Sequence, residues 1–186
     1  MRVVEPRRYI FGLTGYPLGH SMSPVIHKAL FEISGIDASY VMVETPPEEL
    51  GDSFRKSLSA MRGFNVTIPH KINIIRYLDE LSPRAKLFGA VNTVDVGEDN
   101  IVGHNTDCAG FLSALQMADI ELGGNVLLLG SGGVARMIAF EAILAEADLT
   151  IAVRESGIPS AEKIKKEIKE KLNKDCKVIS LSEATG

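Results

Sequence analysis

Two short stretches hold residue types that can do chemistry. In "NVLLLGSGGVARMIAFEAIL" an apolar run from Asn125 to Leu129 empties into Gly130, Gly132 and Gly133 and then into a helical pattern. A glycine-rich turn between a strand and a helix offers backbone N–H groups to an anion. Gly130 permits the tight turn, Gly132 lets the main chain approach a pyrophosphate, and Ala135 is small enough for helix and strand to pack closely. Ser131, Gly133 and Val134 complete the loop. The alternative is a tight βα turn that binds nothing. The second stretch is "GFNVTIPHK", residues 63–71, where a β-rich run stops at Pro69 and presents Lys71. A lysine at the carboxyl end of a strand can hold or release a proton beside a ligand. The plain alternative is a surface lysine at the start of a helix.

Arg154 follows the next strand, in the zone where this kind of fold reads a ribose. An arginine there accommodates a 2′-phosphate and so points to NADP, whereas Glu155 beside it opposes one or turns to solvent. A solvated charge at a strand end is the other possibility. The basic stretch "SAEKIKKEIKEKLNKD" invites a nucleic-acid interpretation. Its stripe of Ile164, Ile168 and Leu172 and its i,i+4 pairs (Glu162 with Lys166, Glu167 with Lys171, Glu170 with Lys174) favour a solvated helix of an α/β unit instead. The four histidines are His20, His27, His70 and His104, and no metal-ligand cluster emerges from their spacing.

Strand and helix signals alternate along the chain, which predicts an α/β fold. "YIFGLTG", "SYVMVET" and "GFNVTI" predict the first strands. Between the first two, Ser23 as N-cap, Pro24, a core stripe of Val25, Ile26, Leu30 and Ile33, and Gly35 as a stop predict a helix. Helices are also expected over "PPEELGDSFRKSLSAM" and "HKINIIRYLDEL". Short strands follow in "AVNTVDV" and "NIVGHNTD", then a helix in "CAGFLSALQMA". After Gly124 the strand signals are "NVLLLG", expected to be buried on both faces, "LTIAVR" and "CKVISLS".

With 186 residues, 45% hydrophobic and 24% charged, the chain can bury real cores. A formal net charge of −4 provides no global positive field for nucleic acid or an anionic membrane. No stretch matches a secretory core or a membrane span, which predicts a cytoplasmic protein. Cys108 and Cys176 belong to no C-x-x-C pair and are expected to be small buried residues.

The stretches "GYPLGHSMSP" (15–24), "NVTIPHK" (65–71), "AVNT" (90–93), "GHNTD" (103–107) and "GSGGVA" (130–135) occur in the order and spacing of one family. From about Gly12 to Ala139 the chain resembles shikimate dehydrogenase, and the likeness thins beyond Leu149. The resemblance implies an N-terminal α/β substrate domain with a mixed sheet over residues 1–107, then a partial Rossmann-type dinucleotide-binding domain over 108–186 that takes NADP. The implied activity is reversible NADPH-dependent reduction of 3-dehydroshikimate to shikimate, in aromatic amino-acid biosynthesis. Lys71 and Asp107 would form the catalytic pair, with Asp107 orienting Lys71 and gripping a substrate hydroxyl. Ser21 and Ser23 match the pair that binds the substrate carboxylate, although Ser23 also suits a plain helix cap. Thr67 and Asn92 match residues that hold the ring hydroxyls and carboxylate. Asn65-Val66-Thr67 also spells a glycosylation sequon, which a cytoplasmic strand would make a false positive.

Two features depart from the family pattern. Val153-Arg154-Glu155 stands where Asn-Arg-Thr is usual, and three strand signals follow Gly124 where a full doubly wound domain has about six. Three readings stay open: a shikimate dehydrogenase represented by its N-terminal two-thirds, a related dehydrogenase using quinate or NAD, and a non-catalytic shikimate-binding fragment. Association as a homodimer also stays open, because "NVLLLG" without a partner strand would be an exposed sheet edge. If Arg154 reads a 2′-phosphate, Arg154→Ala weakens NADPH binding far more than NADH binding in paired titrations; equal losses would leave it a surface charge.

Overall fold

The computed structural model describes residues 9–184, which fall into two compact units divided after Asn105. Residues 1–8, part of the N-terminal stretch expected to hold no secretory core, lie outside the described residues.

In the first unit the β-rich runs become β1 (Tyr9–Gly15), β2 (Ala38–Glu44), β3 (Gly63–Val66), β4 (Glu80–Leu81), β5 (Thr93–Val96) and β6 (Ile101–His104). Helices α1 (Ser23–Ser34), α2 (Leu50–Lys56) and α3 (Pro83–Phe88) lie between them in sequence. The sheet is mixed, in the order β2-β1-β3-β5-β6-β4. β1 lies between β2 and β3 and is parallel to both, with Thr14 opposite Val43 on β2 and Val66 on β3. β5 runs antiparallel to β3 and to β6. Alternation along the strands sends Phe64, Val66 and Val94 into a core with Leu50, Phe54, Leu58 and Ile74. Gly63 and Asn65 therefore belong to the opposite face.

Four local expectations fail here for physical reasons. The predicted stripe of α1 does not enter a core: Val25, Ile26, Leu30 and Ile33 are exposed, Ile33 at 83%. The helix packs instead through His27 and Phe31, one turn apart, whose rings meet Tyr40 and Phe11 at centroid distances of 4.1 and 5.5 Å. Ser23 is also not its N-cap; Met22 holds that position and supplies no side-chain bond, while Gly35 ends the helix at φ 65° as expected. The helix predicted over 70–81 is replaced by a 3-10 turn (Asn73–Tyr77) and β4. There the Asp79 and Ser82 N–H groups donate to Ile101 O and Gly103 O of β6, so sheet pairing overrides helix propensity. The stretch 46–61 is helical only in pieces, because Ser57 at φ −132°, ψ −54° breaks it after Lys56. Its buried residues Leu50, Phe54 and Leu58 nevertheless keep a four-residue spacing.

The second unit contains α4 (Asp107–Met117), β7 (Asn125–Leu129), α5 (Gly133–Leu144), β8 (Asp148–Val153), α6 (Ile158–Leu172), β9 (Lys177–Ser180) and a last turn, α7 (Leu181–Ala184). Its sheet is wholly parallel, in the order β7-β8-β9, with helices as crossovers: a partial Rossmann-type unit. Phe140 and Ile143 of α5, Leu149 and Ile151 of β8, and Ile164 and Ile168 of α6 form its interior, and Cys108 and Cys176 are buried. β7 is not buried on both faces as predicted; Leu127 and Leu129 are exposed, because β7 is an edge strand among the described residues. On α6 Lys166 pairs with Glu170 rather than with Glu162. Glu167 instead accepts from Arg136 Nε of α5 at 2.8 Å, and Lys174 pairs with Glu146. Among the described residues no helix is long and apolar enough to cross a membrane.

Phe64→Ala, which empties a site 3% exposed, lowers the unfolding free energy by about 3–5 kcal/mol in urea titration. Val25→Ala on the exposed side of α1 changes it by less than about 0.5 kcal/mol.

Candidate functional site

Parallel pairing brings the carboxyl ends of β1, β2 and β3 to one edge of the first sheet. Beyond the strands, hydrogen bonds continue the alignment: Thr45 N–H donates to Gly15 O at 2.9 Å, Thr67 N–H to Thr14 O at 2.9 Å, and Tyr16 N–H to Ile68 O at 3.0 Å. The Tyr16–Pro17 and Ile68–Pro69 peptides are both cis. At this edge lies a pocket of about 410 Å3 lined by Leu13, Leu18, His20, Ser21, Ser23 and Thr67, among others. Ser21, Ser23 and Thr67 come together here from the β1–α1 loop, the first position of α1 and the end of β3. The Ser21 hydroxyl donates to Ser23 Oγ at 3.1 Å and accepts from Ser23 N–H at 3.3 Å. Paired hydroxyls at the N-terminus of a twelve-residue helix suit a carboxylate. Gly15, at the end of β1, lies against Thr67: a Cβ there would stand 2.3 Å from Thr67 Cγ2 and 3.0 Å from Ile68 O.

Lys71 follows Thr67 by four residues and is half-buried. Its carbonyl accepts from Val91 N–H at 2.8 Å, which fastens the Lys71 backbone next to Asn92. Asn92 is in turn held by its N–H donating to His104 O and its carbonyl accepting from Val66 N–H, each at 2.9 Å. Asp107 is exposed and opens α4, in the second unit.

Asn65, Tyr40 and His27 received no functional role from their sequence positions. Asn65 shares a face of the β3 segment with Thr67, two residues on, and this period-two spacing was the available signal. Tyr40 O–H donates to Asn65 Oδ1 at 2.7 Å, and Asn65 Nδ2 donates to Thr93 Oγ1 at 3.2 Å. The His27 ring stacks on Tyr40 at 6°. Burial pushes the Tyr40 phenol up to about 12, against the pull of a hydrogen bond with Ser23. Burial also holds the His27 imidazole below its ordinary value, partly offset by a hydrogen bond with Asn65. These side chains floor a larger groove of about 480 Å3 walled by Tyr9, Phe11 and Phe31. The smaller pocket, not this apolar groove, collects the hydroxyls suited to a polar acid.

In the second unit Gly130 adopts φ 103°, a conformation that favours glycine, and its N–H donates to Ala152 O at 2.9 Å. A Cβ placed on Gly132 or Gly133 would meet nothing within 4 Å, so the loop is open at the start of α5. Ser160 Oγ donates to Ser131 O at 3.2 Å, tying the loop to the first turns of α6. The β7–β8 register sets Arg154 one residue beyond the point facing Gly130. An open glycine turn at the head of α5, near an exposed arginine, fits a phosphate-bearing dinucleotide. Among the described residues no three metal-ligating side chains gather.

Residues 13–94 match the family model described as the shikimate dehydrogenase substrate-binding domain. That segment belongs to this family. Over 178 residues the chain is 41% identical to the shikimate dehydrogenase (NADP(+)) of Methanocaldococcus jannaschii, covering 92% of this chain and 61% of that protein. The shikimate 5-dehydrogenase of Listeria monocytogenes, solved with shikimate and NAD, superposes with a TM-score of 0.83 at 35% identity, covering 97% of this chain and 63% of that one. The Thermus thermophilus enzyme, solved with NADP(H) and shikimate, gives 0.82 at 34% identity, over 95% and 64%. The chain thus spans somewhat less than two thirds of the length of these shikimate dehydrogenases.

The raised Tyr40 value carries a sign. Stability contributed by the protonated buried phenol is fully present below the ordinary value of 10.0 and is lost as pH rises through about 12. Ultraviolet titration of wild type minus Tyr40→Phe isolates one tyrosine ionising near 12, and Tyr40→Phe unfolds with a smaller alkaline loss of stability. A difference titration centred at 10.0 would contradict the burial of this ring.

Proposed function

We propose that the chain carries the substrate-binding domain and part of the dinucleotide-binding domain of a shikimate dehydrogenase, which interconverts 3-dehydroshikimate and shikimate with NADP(H). The observation that carries this reading is the convergence of the Ser21, Ser23 and Thr67 hydroxyls in one pocket of a domain matched to that family. Residues 1–107 are assigned to substrate and 108–186 to the dinucleotide; the compact units divide two residues earlier, leaving Asp107 at the head of α4.

In this reading the substrate carboxylate is bound by the Ser21 and Ser23 hydroxyls at the start of α1. Thr67 and Asn92 orient the ring by its hydroxyl groups. Lys71 holds the proton given to the carbonyl oxygen as it becomes a hydroxyl, and takes it back in the reverse direction. Asp107 is its companion, accepting a hydrogen bond from a substrate hydroxyl. NADPH, when bound, supplies the hydride. Gly130, Ser131, Gly132, Gly133, Val134 and Ala135 would cradle its pyrophosphate, with Arg154 placed for the 2′-phosphate. Glu155, exposed beside Arg154, favours NAD as the second reading. We place the protein in the cytoplasm, where two free buried cysteines stay reduced.

Millimolar shikimate raises the thermal midpoint of the 186-residue chain without cofactor, through the pocket of the first unit. An unmoved midpoint in shikimate would count against the site. In a full-length enzyme assayed with NADPH and 3-dehydroshikimate, Lys71→Ala lowers kcat roughly 100-fold or more while KM changes little, and a near-normal kcat would remove Lys71 from the chemistry.

A further inference from the structure

His70 lies between Thr67 and Lys71 in sequence, yet it turns away from the pocket and is fully buried. Its Nε2 stands 2.6 Å from Thr45 O. A carbonyl oxygen can only accept, so the ring hydrogen is on Nε2 and donates there. Nδ1 is buried and meets no partner among the described residues. A single short bond to a strand-end carbonyl therefore fixes the ring.

Thr45 is itself immobilised. Its N–H donates to Gly15 O, and its hydroxyl accepts from Thr14 Oγ1 at 3.0 Å and lies 3.1 Å from Val43 O as a donor. On the other side of the ring, His70 N–H donates to Thr67 O at 2.9 Å, and the His70 carbonyl accepts from Ile74 N–H at 2.9 Å. The imidazole thus ties the turn 67–71 to the carboxyl ends of β1 and β2. The residues on both sides of His70 in that turn are those assigned to substrate and to proton transfer. An apolar side chain of similar shape would fill the space but leave Thr45 O buried and unpaired, which is costly.

We propose that His70 is a positioning residue for the pocket: anchored on Thr45, it sets where Thr67 and Lys71 stand relative to Ser21 and Ser23. The inference rests on the substrate-site reading above. It concerns a residue that touches no substrate and acts through the geometry of its neighbours.

The test compares His70→Phe, which keeps the ring shape without the donor, with His70→Gln, whose amide nitrogen reaches the position of Nε2. Shikimate affinity is measured by calorimetry on the 186-residue chain, with thermal midpoints of each variant in the absence of ligand. Amide hydrogen exchange is followed at Thr67 and His70, with β8 amides as the internal reference. Positioning predicts that His70→Phe weakens shikimate at least about 10-fold and speeds exchange at Thr67 and His70 alone. It predicts that His70→Gln restores both to within about 3-fold of wild type. Unchanged affinity and exchange in His70→Phe would overturn the proposal, as would losses in the two variants that simply follow their thermal midpoints. If the wild-type chain binds no shikimate, the substrate-site reading fails; the exchange comparison then decides the role of His70, local loosening rescued by glutamine supporting it and unchanged exchange overturning it.

Discussion

The parallel pairing of β1 with both β2 and β3 is the constraint on which the first unit depends. Three strands running the same way must release their chains at the same edge, and Gly15, Thr45 and Thr67 leave together there. The register is set from the opposite face, where Phe64 and Val66 enter the core. Burying each such side chain is worth about 1.5–3 kcal/mol, more than a strand-end hydroxyl gains from any single hydrogen bond. A slip of one residue would exchange the two faces, sending Asn65 and Thr67 into the core. The site's geometry is therefore inherited from the packing beneath it. Gly15 shows how narrow the tolerance is, since one added methyl would displace either Thr67 or the carbonyl of Ile68.

How much of this was legible in the sequence depended on where the determining forces lay. Strands β1, β3 and β8 and the Gly130 turn announce themselves because their patterns are local: β-branched runs, a glycine whose backbone angles few other residues tolerate, a helix following at once. Gly35 likewise marks the end of α1 by its own left-handed conformation. The segment 70–81 was opaque because its fate is decided by β6, some twenty residues further on, which captures Asp79 and Ser82 through their N–H groups. α1 misled for the opposite reason. Its aliphatic stripe reads as a core face, while its packed face is made of His27 and Phe31, residues whose aromatic partners on β1 and β2 no helical period reveals.

Of the candidate site, the hydroxyls of Ser21, Ser23 and Thr67 could be picked out as a set only through motif spacing, since nothing in a lone serine forecasts its neighbours. The chain Tyr40–Asn65–Thr93 escaped notice because it is assembled from three strands and has no signature within any one of them. It matters physically all the same. A partly buried polar network is favourable only when its members are satisfied, and Asn65 meets this condition by using Oδ1 towards Tyr40 and Nδ2 towards Thr93. The two units also treat charge differently. The first pocket offers neutral hydroxyls and a helix end, whereas the glycine loop of the second stands beside a permanent cation, Arg154. In a chain of net charge −4, any attraction for an anion must be local.

The division after Asn105 also bears on how the chain acquires its structure. Every strand of the mixed sheet lies in sequence before the first strand of the parallel one. During synthesis the first unit can close its sheet, pocket edge included, while the glycine loop and β8 are still inside the ribosome. The β1–β2 pair can form once residue 44 has emerged and the β1–β3 pair once residue 66 has, so the long-range parallel pairs are available before the β5–β6 hairpin, with four residues between its strands, closes its short loop. Vectorial emergence thus lets the strand-end pocket take its shape before the glycine loop has left the ribosome.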